Sequence, residues 1–256
     1  MRLLLIDGLN LIRRIYAAVP GDQGTAAHDD DVSRSCSRSL ERALDALQPT
    51  HGAIVFESGS NTWRHQLHPA YKAGRRPMPD GLKALLPRLE AEFAQRGIRA
   101  VRVTDFEADD VIASAAMSLR DHLEVLILSS DKGFLPLLAH GIRVRNHFEE
   151  RELDEAYVTE RFGVGPVQLP TYLALVGDTS QGIPGVRGIG RKMAAKLTAS
   201  YGTLEALYAA SATMTGRAAT ALACSEPDAR LSLTLTGLKT DVAIGLKLSE
   251  LRIQTS

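Results

Sequence analysis

Apolar runs and helix-period stripes alternate along the first part of the chain. Arg2 to Ile6 is a short, nearly unbroken apolar run, which predicts a buried strand. Between Ser35 and Leu47 the pattern changes to a stripe of Leu40, Ala43, Leu44 and Leu47, the spacing of one helix face. His51 to Phe56 reads as a second strand. Asp80 to Arg96 predicts a helix capped by Asp80 and stopped at Gly97, with Leu82, Leu85, Leu86, Leu89 and Phe93 turned inward. Arg99 to Thr104 is a third strand, followed by a helix from about Phe106 to Leu119. Leu123 to Leu128 is a fourth strand and Ile142 to Arg145 a short fifth. Such alternation predicts an α/β fold around a mostly parallel sheet with right-handed crossovers.

The second part is helical. Asp154 to Phe162 is a short helix ended by Gly163, and Gln168 to Val176 is another. A Gly-rich turn follows, then helices from Arg191 to Tyr201 and from Leu204 to Ala210. The boundary between the two parts falls near 150–165. Leu231 to Ile253 is read as a tail that returns a strand to the sheet. Pro20 to Ser33 is polar and rich in breakers, which predicts a loop; its Asp29, Asp30 and Asp31 read as a solvated charge run, with cation chelation as the alternative.

With 256 residues, 45% hydrophobic and 23% charged, the chain has the composition of a globular protein with a sizeable core. Collagen-like, disordered and transmembrane classes are excluded. Asp7 interrupts the opening apolar run, so no signal peptide is expected, and two cysteines cannot form a disulfide framework. A cytoplasmic location is the expectation. Thirty basic residues balance 30 acidic ones, but unevenly. Ser58 to Pro79 carries Arg64, Lys72, Arg75 and Arg76 and no acid. Thr179 to Leu204 carries Arg187, Arg191, Lys192 and Lys196 and no acid. Most of the basic residues are Arg, which suits bidentate phosphate contacts.

The acids gather elsewhere. Strand one ends at Asp7 and strand two at Glu57; strand three leads into Glu107, Asp109 and Asp110, and strand four into Asp131. Ligands of open parallel sheets bind outside the carboxyl ends of the strands. Four strands therefore deliver carboxylates to one rim, where they repel one another unless protonated or neutralised by cations. Oxygen donors without Cys or His favour Mg²⁺ or Mn²⁺ over zinc. Such a rim can clamp a phosphodiester and lower the pKa of an attacking water, while the basic segments grip the rest of a polyanion. Single residues have structural alternatives: Asp105 as a helix N-cap, Glu107 or Asp109 as partners of the helix dipole.

Ile183 to Ala194 reads Ile-Pro-Gly-Val-Arg-Gly-Ile-Gly-Arg-Lys-Met-Ala. Gly188 and Gly190 let backbone N–H groups approach phosphate closely, and a helix starting at Arg191 adds positive potential. This is a helix-hairpin-helix pattern, which grips backbone without reading sequence. A dinucleotide fingerprint is the competitor, but no strand precedes these glycines.

Together, Ile6-Asp7-Gly8-Leu9-Asn10, Tyr71-Lys72-Ala73-Gly74-Arg75, Glu107-Ala108-Asp109-Asp110, Ser130-Asp131-Lys132 and Gly177-Asp178 leading into the hairpin resemble the 5′-nuclease (flap endonuclease) superfamily. The resemblance runs over nearly the whole chain and implies a PIN-like core over 1–160 and a helical C-terminal region over 161–256. It implies an arch segment around 58–80 and a helix-hairpin-helix at 183–201. It implies that Asp7, Glu107, Asp109 and Asp110 hold one Mg²⁺, with Glu57 added to the ligand set from a position where the family usually has Asp, and that Asp131 and Asp178 belong to a second. It implies that Tyr71 stacks near an unpaired base, that Lys72 and Arg75 touch the scissile region, and that Arg64 contributes. It implies that Gly188, Ile189, Gly190, Arg191, Lys192 and Met193 contact duplex DNA. It implies K⁺ on the carbonyls of Leu175, Val176, Pro184, Val186 and Ile189. Core packing is the alternative for Tyr71, and a solvated face for Lys72 and Arg75.

The chain departs from the family's pattern at Gly133 and Gln181, where the second metal group has acids. The implied activity is Mg²⁺-dependent cleavage of DNA at the junction of duplex and 5′ single strand by a monomer. The alternatives are a metal-assisted binder of branched DNA and a ribonuclease of PIN-like fold.

Overall fold

The computed structural model describes residues 1–59 and 61–253; Ser60, inside the predicted arch segment, and residues 254–256 lie outside them. Strands β1 (Arg2–Asp7), β2 (His51–Val55), β3 (Arg99–Val101), β4 (Glu124–Leu128), β5 (Arg143–Asn146) and β6 (Arg151–Glu152) form one sheet in the order β3-β2-β1-β4-β5-β6. Every pairing is parallel except β5 with β6. The four strands that end in acids are therefore neighbours, with β1 at their centre.

The helices are α1 (Gly8–Ala18), α2 (Ala26–Leu47), α3 (Trp63–Leu67), α4 (Asp80–Gln95), α5 (Ala108–Leu119), α6 (Glu155–Phe162), α7 (Leu169–Val176), α8 (Arg191–Tyr201), α9 (Leu204–Ser211), α10 (Arg217–Cys224) and α11 (Glu226–Thr236). Along β1, Leu4 and Ile6 pack with residues of α1, α2 and α4, while Leu3 and Leu5 pack with α5 and the C-terminal helices. A strand buried on both faces needs an apolar residue at every position, which is why its sequence shows no alternation.

Several expectations are corrected. Residues 26–33 are not loop but the start of α2. Thr25 caps that helix by accepting from His28 N at 3.3 Å, and His28, Val32, Cys36 and Leu40 follow as a buried stripe. Its acidic run is paired at the surface, Asp30 with Arg88 at 2.6 Å and Asp31 with Arg34. Helix α1 begins where the first strand ends, and Asp7 caps it by accepting from Asn10 N at 3.2 Å. The cap of α4 is Pro79, not Asp80, and that of α5 is Glu107, not Asp105. The tail adds no strand. Leu231 to Thr236 belongs to α11, and only a single bridge joins Arg252 to His51. The extended piece between them is tied to α5, where Ser114 Oγ accepts from Val242 N at 3.0 Å and donates to Lys239 O at 3.1 Å.

Candidate active site

The acid rim is built around β1. Asp7 Oδ2 accepts from Ser129 Oγ at 2.8 Å, and Ser129 Oγ in turn accepts from Asp131 N at 3.1 Å. Asn10 Oδ1 accepts from Ser130 N and Oγ at 3.2 and 3.0 Å. The loop after β4 is thereby fixed to the start of α1. A cleft of 430 Å³ opens here, with Asp7, Glu57, Lys72, Arg75, Asp109 and Asp131 on its walls.

These carboxylates are short of positive charge. Burial pushes Asp7 up to about 6; the Ser129 hydrogen bond works against this, and the charges of Asp131 and Glu57 add to it. Burial likewise raises Asp109, with Asp131 and Asp7 adding to it and Lys72 opposing. Among the described residues no hydrogen bond or ion pair reaches the Asp109 carboxylate. Mutual repulsion of this kind is relieved by a hard cation on oxygen donors, so the donor set fits a divalent ion. As the side chains stand, no three His, Cys, Asp or Glu groups among the described residues are drawn close enough to hold one. The nearest positive charge is Lys72, whose Nζ lies 2.7 Å from Glu107 Oε1 and 3.9 Å from Glu57 Oε1.

Lys72 reaches that position from a left-handed backbone, φ 54. Such a conformation is unfavourable for a residue with a Cβ and is held by its surroundings. Lys72 N donates to Gln181 O at 2.8 Å, and His68 Nε2 stands 3.2 Å from Gly182 O. A Cβ on Gly182 would lie 2.2 Å from Ala70 O, so the arch segment sits directly on the hairpin loop.

The structure separates residues the sequence grouped. Asp110 is sealed from the cleft, with both carboxylate oxygens engaged. Oδ2 accepts from Arg64 Nη1 at 2.7 Å and Trp63 Nε1 at 2.8 Å; Oδ1 accepts from Arg64 Nη2 at 2.8 Å and Lys239 N at 2.9 Å. It has no free lone pair facing a metal and is a structural anchor. Arg64 lies inside the fold. It is 2% exposed, and its remaining donors go to Glu107 Oε2, Leu235 O and Gly237 O at 2.9, 2.9 and 2.7 Å. All five guanidinium N–H groups are matched. Tyr71 is buried too, and its hydroxyl donates to Glu107 Oε2 at 3.0 Å, so it is not placed to stack on a base. Glu107, 2% exposed, is held by Arg64, Tyr71 and Lys72 together. Arg75 is exposed beside the cleft.

Asp178 lies beyond Asp131. Oδ2 accepts from Lys132 Nζ at 2.9 Å and Gln181 Nε2 at 3.4 Å, and Oδ1 accepts from Ser180 Oγ at 2.6 Å. Burial alone would raise this carboxyl, but those donors win and lower it. In this arrangement the charge of Asp178 is compensated by Lys132.

The hairpin forms as the glycines require. Gly177 and Gly185, at φ 67 and 64, cross so closely that a Cβ on either would meet the other's backbone N within 2.7 Å. Leu175 O accepts from Val186 N at 2.8 Å, and Val186 O from Ile189 N at 3.0 Å. Val176 and Pro184 flank the same crossing. Gly190 caps α8, and Gly188, Arg191, Lys192 and Met193 are exposed at its start, while Ile189 is buried beneath them.

The sequence reading missed Arg13 and Arg14. They extend from α1 along the cleft, and Arg14 continues into a second groove of 720 Å³ with Lys132, Arg161 and Arg191. Their signal was the basic pair about two turns past Asp7, once α1 is seen to begin there.

Residues 2–163 match the 5′-3′ exonuclease N-terminal resolvase-like domain, and residues 164–256 match the 5′-3′ exonuclease C-terminal SAM fold. Flap endonuclease Xni of Colwellia psychrerythraea is 39% identical over 99% of this chain and 92% of its own length. Flap endonuclease Xni of Cronobacter sakazakii is 40% identical over 99% and 98%. Among solved structures, the T5 5′-exonuclease described with bound zinc has a TM-score of 0.81 at 20% identity, covering 94% of this chain and 90% of its own. The catalytic core of Rad2 with DNA substrate has a TM-score of 0.55 at 15% identity, covering 94% and 79%. These two likenesses show the fold.

Proposed function

This chain belongs to the 5′-3′ exonuclease family, and from that footing we propose a structure-specific DNA 5′-nuclease that hydrolyses a phosphodiester where duplex meets a 5′ single strand. The observation that carries this reading is the rim: Asp7, Glu57, Asp109 and Asp131 at the ends of neighbouring parallel strands, where burial and the neighbouring acids raise the proton affinity of Asp7 and Asp109. Divalent metal at this rim, Mg²⁺ or Mn²⁺, is part of the proposal; when bound it would neutralise the phosphate and acidify the attacking water. Asp7, Glu57, Asp109 and Asp131 would hold it, with Glu107 behind.

The chain's own residues do the rest. Lys72 and Arg75 bind phosphate from the arch side. Tyr71 and Arg64 hold Glu107, and Glu107 holds Lys72. The exposed start of α8, with Lys192 and Arg191, holds the duplex backbone, and K⁺ is proposed on the hairpin carbonyls of Leu175, Val176, Pro184, Val186 and Ile189. Residues 1–160 cut and residues 161–256 grip. No helix among the described residues is long and apolar enough to cross a membrane, and we place the protein in the cytoplasm as a monomer.

The test is an end-labelled 5′-flap duplex incubated with Mg²⁺ and K⁺ beside the Asp109→Ala variant. Junction cleavage by wild type alone is expected. Tight binding with no product would favour a second reading, a metal-assisted binder of branched DNA, which the missing acids at Gly133 and Gln181 recommend.

A further inference from the structure

Helix α1 presents two unlike faces. Leu11, Ile12, Ile15 and Tyr16 pack into the core. Asn10, Arg13 and Arg14, at the i, i+3 and i+4 spacing of one stripe, line the cleft instead. The two arginines then part company. Arg14 stands where the 430 Å³ cleft meets the 720 Å³ groove, and its guanidinium lies over the Phe148 ring at 5.2 Å. Arg13 lines the cleft and not the groove, and so does Arg75 of the arch segment. Among the described residues the side chains of Arg13 and Arg75 make no hydrogen bond or ion pair. Arg13 is half-buried; burial, then the charge of Arg75, hold its pKa below the ordinary guanidinium value, with Glu57 opposing. Two guanidiniums that repel each other and have spent none of their side-chain donors make a seat for an anion.

We infer that Arg13, with Arg75, seats the phosphate one nucleotide to the 5′ side of the cut, so that short 5′ ends carrying a terminal phosphate are favoured substrates. The inference rests on the function proposed above. Arg13 follows Asp7 by six residues, about 9 Å along α1, so its guanidinium serves a phosphate beyond the one held at the acids. The side follows from the two cavities. The groove runs toward Arg191 at the start of α8, where the duplex is placed. The cleft with Arg13 and Arg75 opens on the arch side, where the 5′ strand leaves. On a one-nucleotide flap the phosphate at this seat is a terminal monoester, with a charge of about −1.5 to −2 at pH 7 instead of the single charge of a diester. Two guanidiniums match the more highly charged form. The bond is broken at the acids; Arg13 acts by holding the strand.

The test crosses the protein with the substrate. A duplex with a one-nucleotide 5′ flap is made with a 5′-phosphate and with a 5′-hydroxyl, and each is cut by wild type and by Arg13→Gln. Wild type should favour the phosphate about tenfold in kcat/KM, the scale of a hydrogen bond to a charged group. Arg13→Gln should lose that preference, and Arg13→Lys should keep part of it. The preference is a ratio within each protein, so a general loss of folding or activity does not move it. On a long flap the terminal phosphate should not matter. There a neutral methylphosphonate linkage one nucleotide to the 5′ side of the cut should cost wild type about tenfold and Arg13→Gln nothing further. No preference in wild type, or an equal preference in Arg13→Gln, would overturn the inference. Affinity gives an arm that needs no cutting. In an Asp109→Ala background the 5′-phosphorylated duplex should bind tighter than the 5′-hydroxyl duplex only while Arg13 is present. If wild type cleaves no flap, the nuclease reading fails, and that affinity difference alone then decides the seat.

Discussion

The first turn of α5 presents two neighbouring aspartates to opposite surroundings. Asp109 faces the cleft without a hydrogen bond or ion pair among the described residues, and the charges of Asp131 and Asp7 beside it outweigh that of Lys72. Asp110 faces the interior and accepts four hydrogen bonds, two of them from Arg64. One side of the turn stores repulsion that a ligand can relieve; the other spends its charge on the fold. Identical residue types at adjacent positions thus differ in what their loss should do, and substitutions can pull the two apart.

The largest effect is expected on the closed side. Asp110→Ala would leave the Arg64 guanidinium buried with two of its five bonds broken. Removing one member of a buried pair costs about 3–5 kcal/mol, because the other charge stays desolvated. Urea unfolding of the metal-free protein should show that loss. An unchanged midpoint would mean that the Arg64 cluster is not holding the arch to the C-terminal helices. Asp109→Ala should do the reverse. Its urea midpoint should stay level or rise, because a repelling charge is gone, while calorimetry should show most divalent-ion affinity lost and cleavage should fall by at least about a thousandfold. Undiminished metal affinity in Asp109→Ala would remove Asp109 from the metal site.

The difference between the two sides also predicts a pH signature. Asp7 titrates near 6 in the fold, above the ordinary carboxylate value of 3.8. Between those values the folded chain keeps a proton that the unfolded chain releases, so this group's contribution to stability falls as pH rises through about 4 to 6. The full shift corresponds to at most about 3 kcal/mol. Glu92, Glu124 and Asp178 run the other way. Donors hold their pKa values down, so they add stability above about pH 4 and lose it in acid. The Asp7 part is therefore read as a difference. Asp7→Asn should gain on wild type between pH 4.5 and 7 in metal-free buffer, and parallel curves would refute the repulsion.

How much of this was legible in the sequence follows from range. The acids at strand ends were readable because strand period and strand length place them locally: Asp7, Glu57, Glu107 and Asp131 each follow an apolar run. The sealing of Asp110 was not readable, because its partners Arg64 and Lys239 lie 46 and 129 residues away. Arg64 sits in a segment whose composition suggests a DNA grip, and only packing shows that its donors point inward. Helix α1 was hidden because the buried strand runs into it without a break, with Asp7 serving both as strand end and cap. The start of α2 was hidden because three consecutive aspartates read as loop, although the same charges favour a helix N-terminus.

The smallest effect belongs to the hairpin, where binding is spread over many contacts and no charge is buried. Lys192 is exposed in the first turn of α8, and no shift of structure is expected from its removal. In the proposed role it neutralises about one phosphate. Lys192→Ala should therefore weaken duplex binding alike at every sequence and flatten the slope of log affinity against log salt by about 0.9. That signature separates the two halves of the protein. A change at Asp109 should leave the salt slope of duplex binding in place while removing metal affinity, and a change at Lys192 should leave metal affinity in place while reducing the slope. Titration of a plain duplex at several salt concentrations measures both. A Lys192→Ala chain whose loss depends on sequence would mean that α8 reads bases, and one whose slope matches wild type would place the duplex on another face of the molecule.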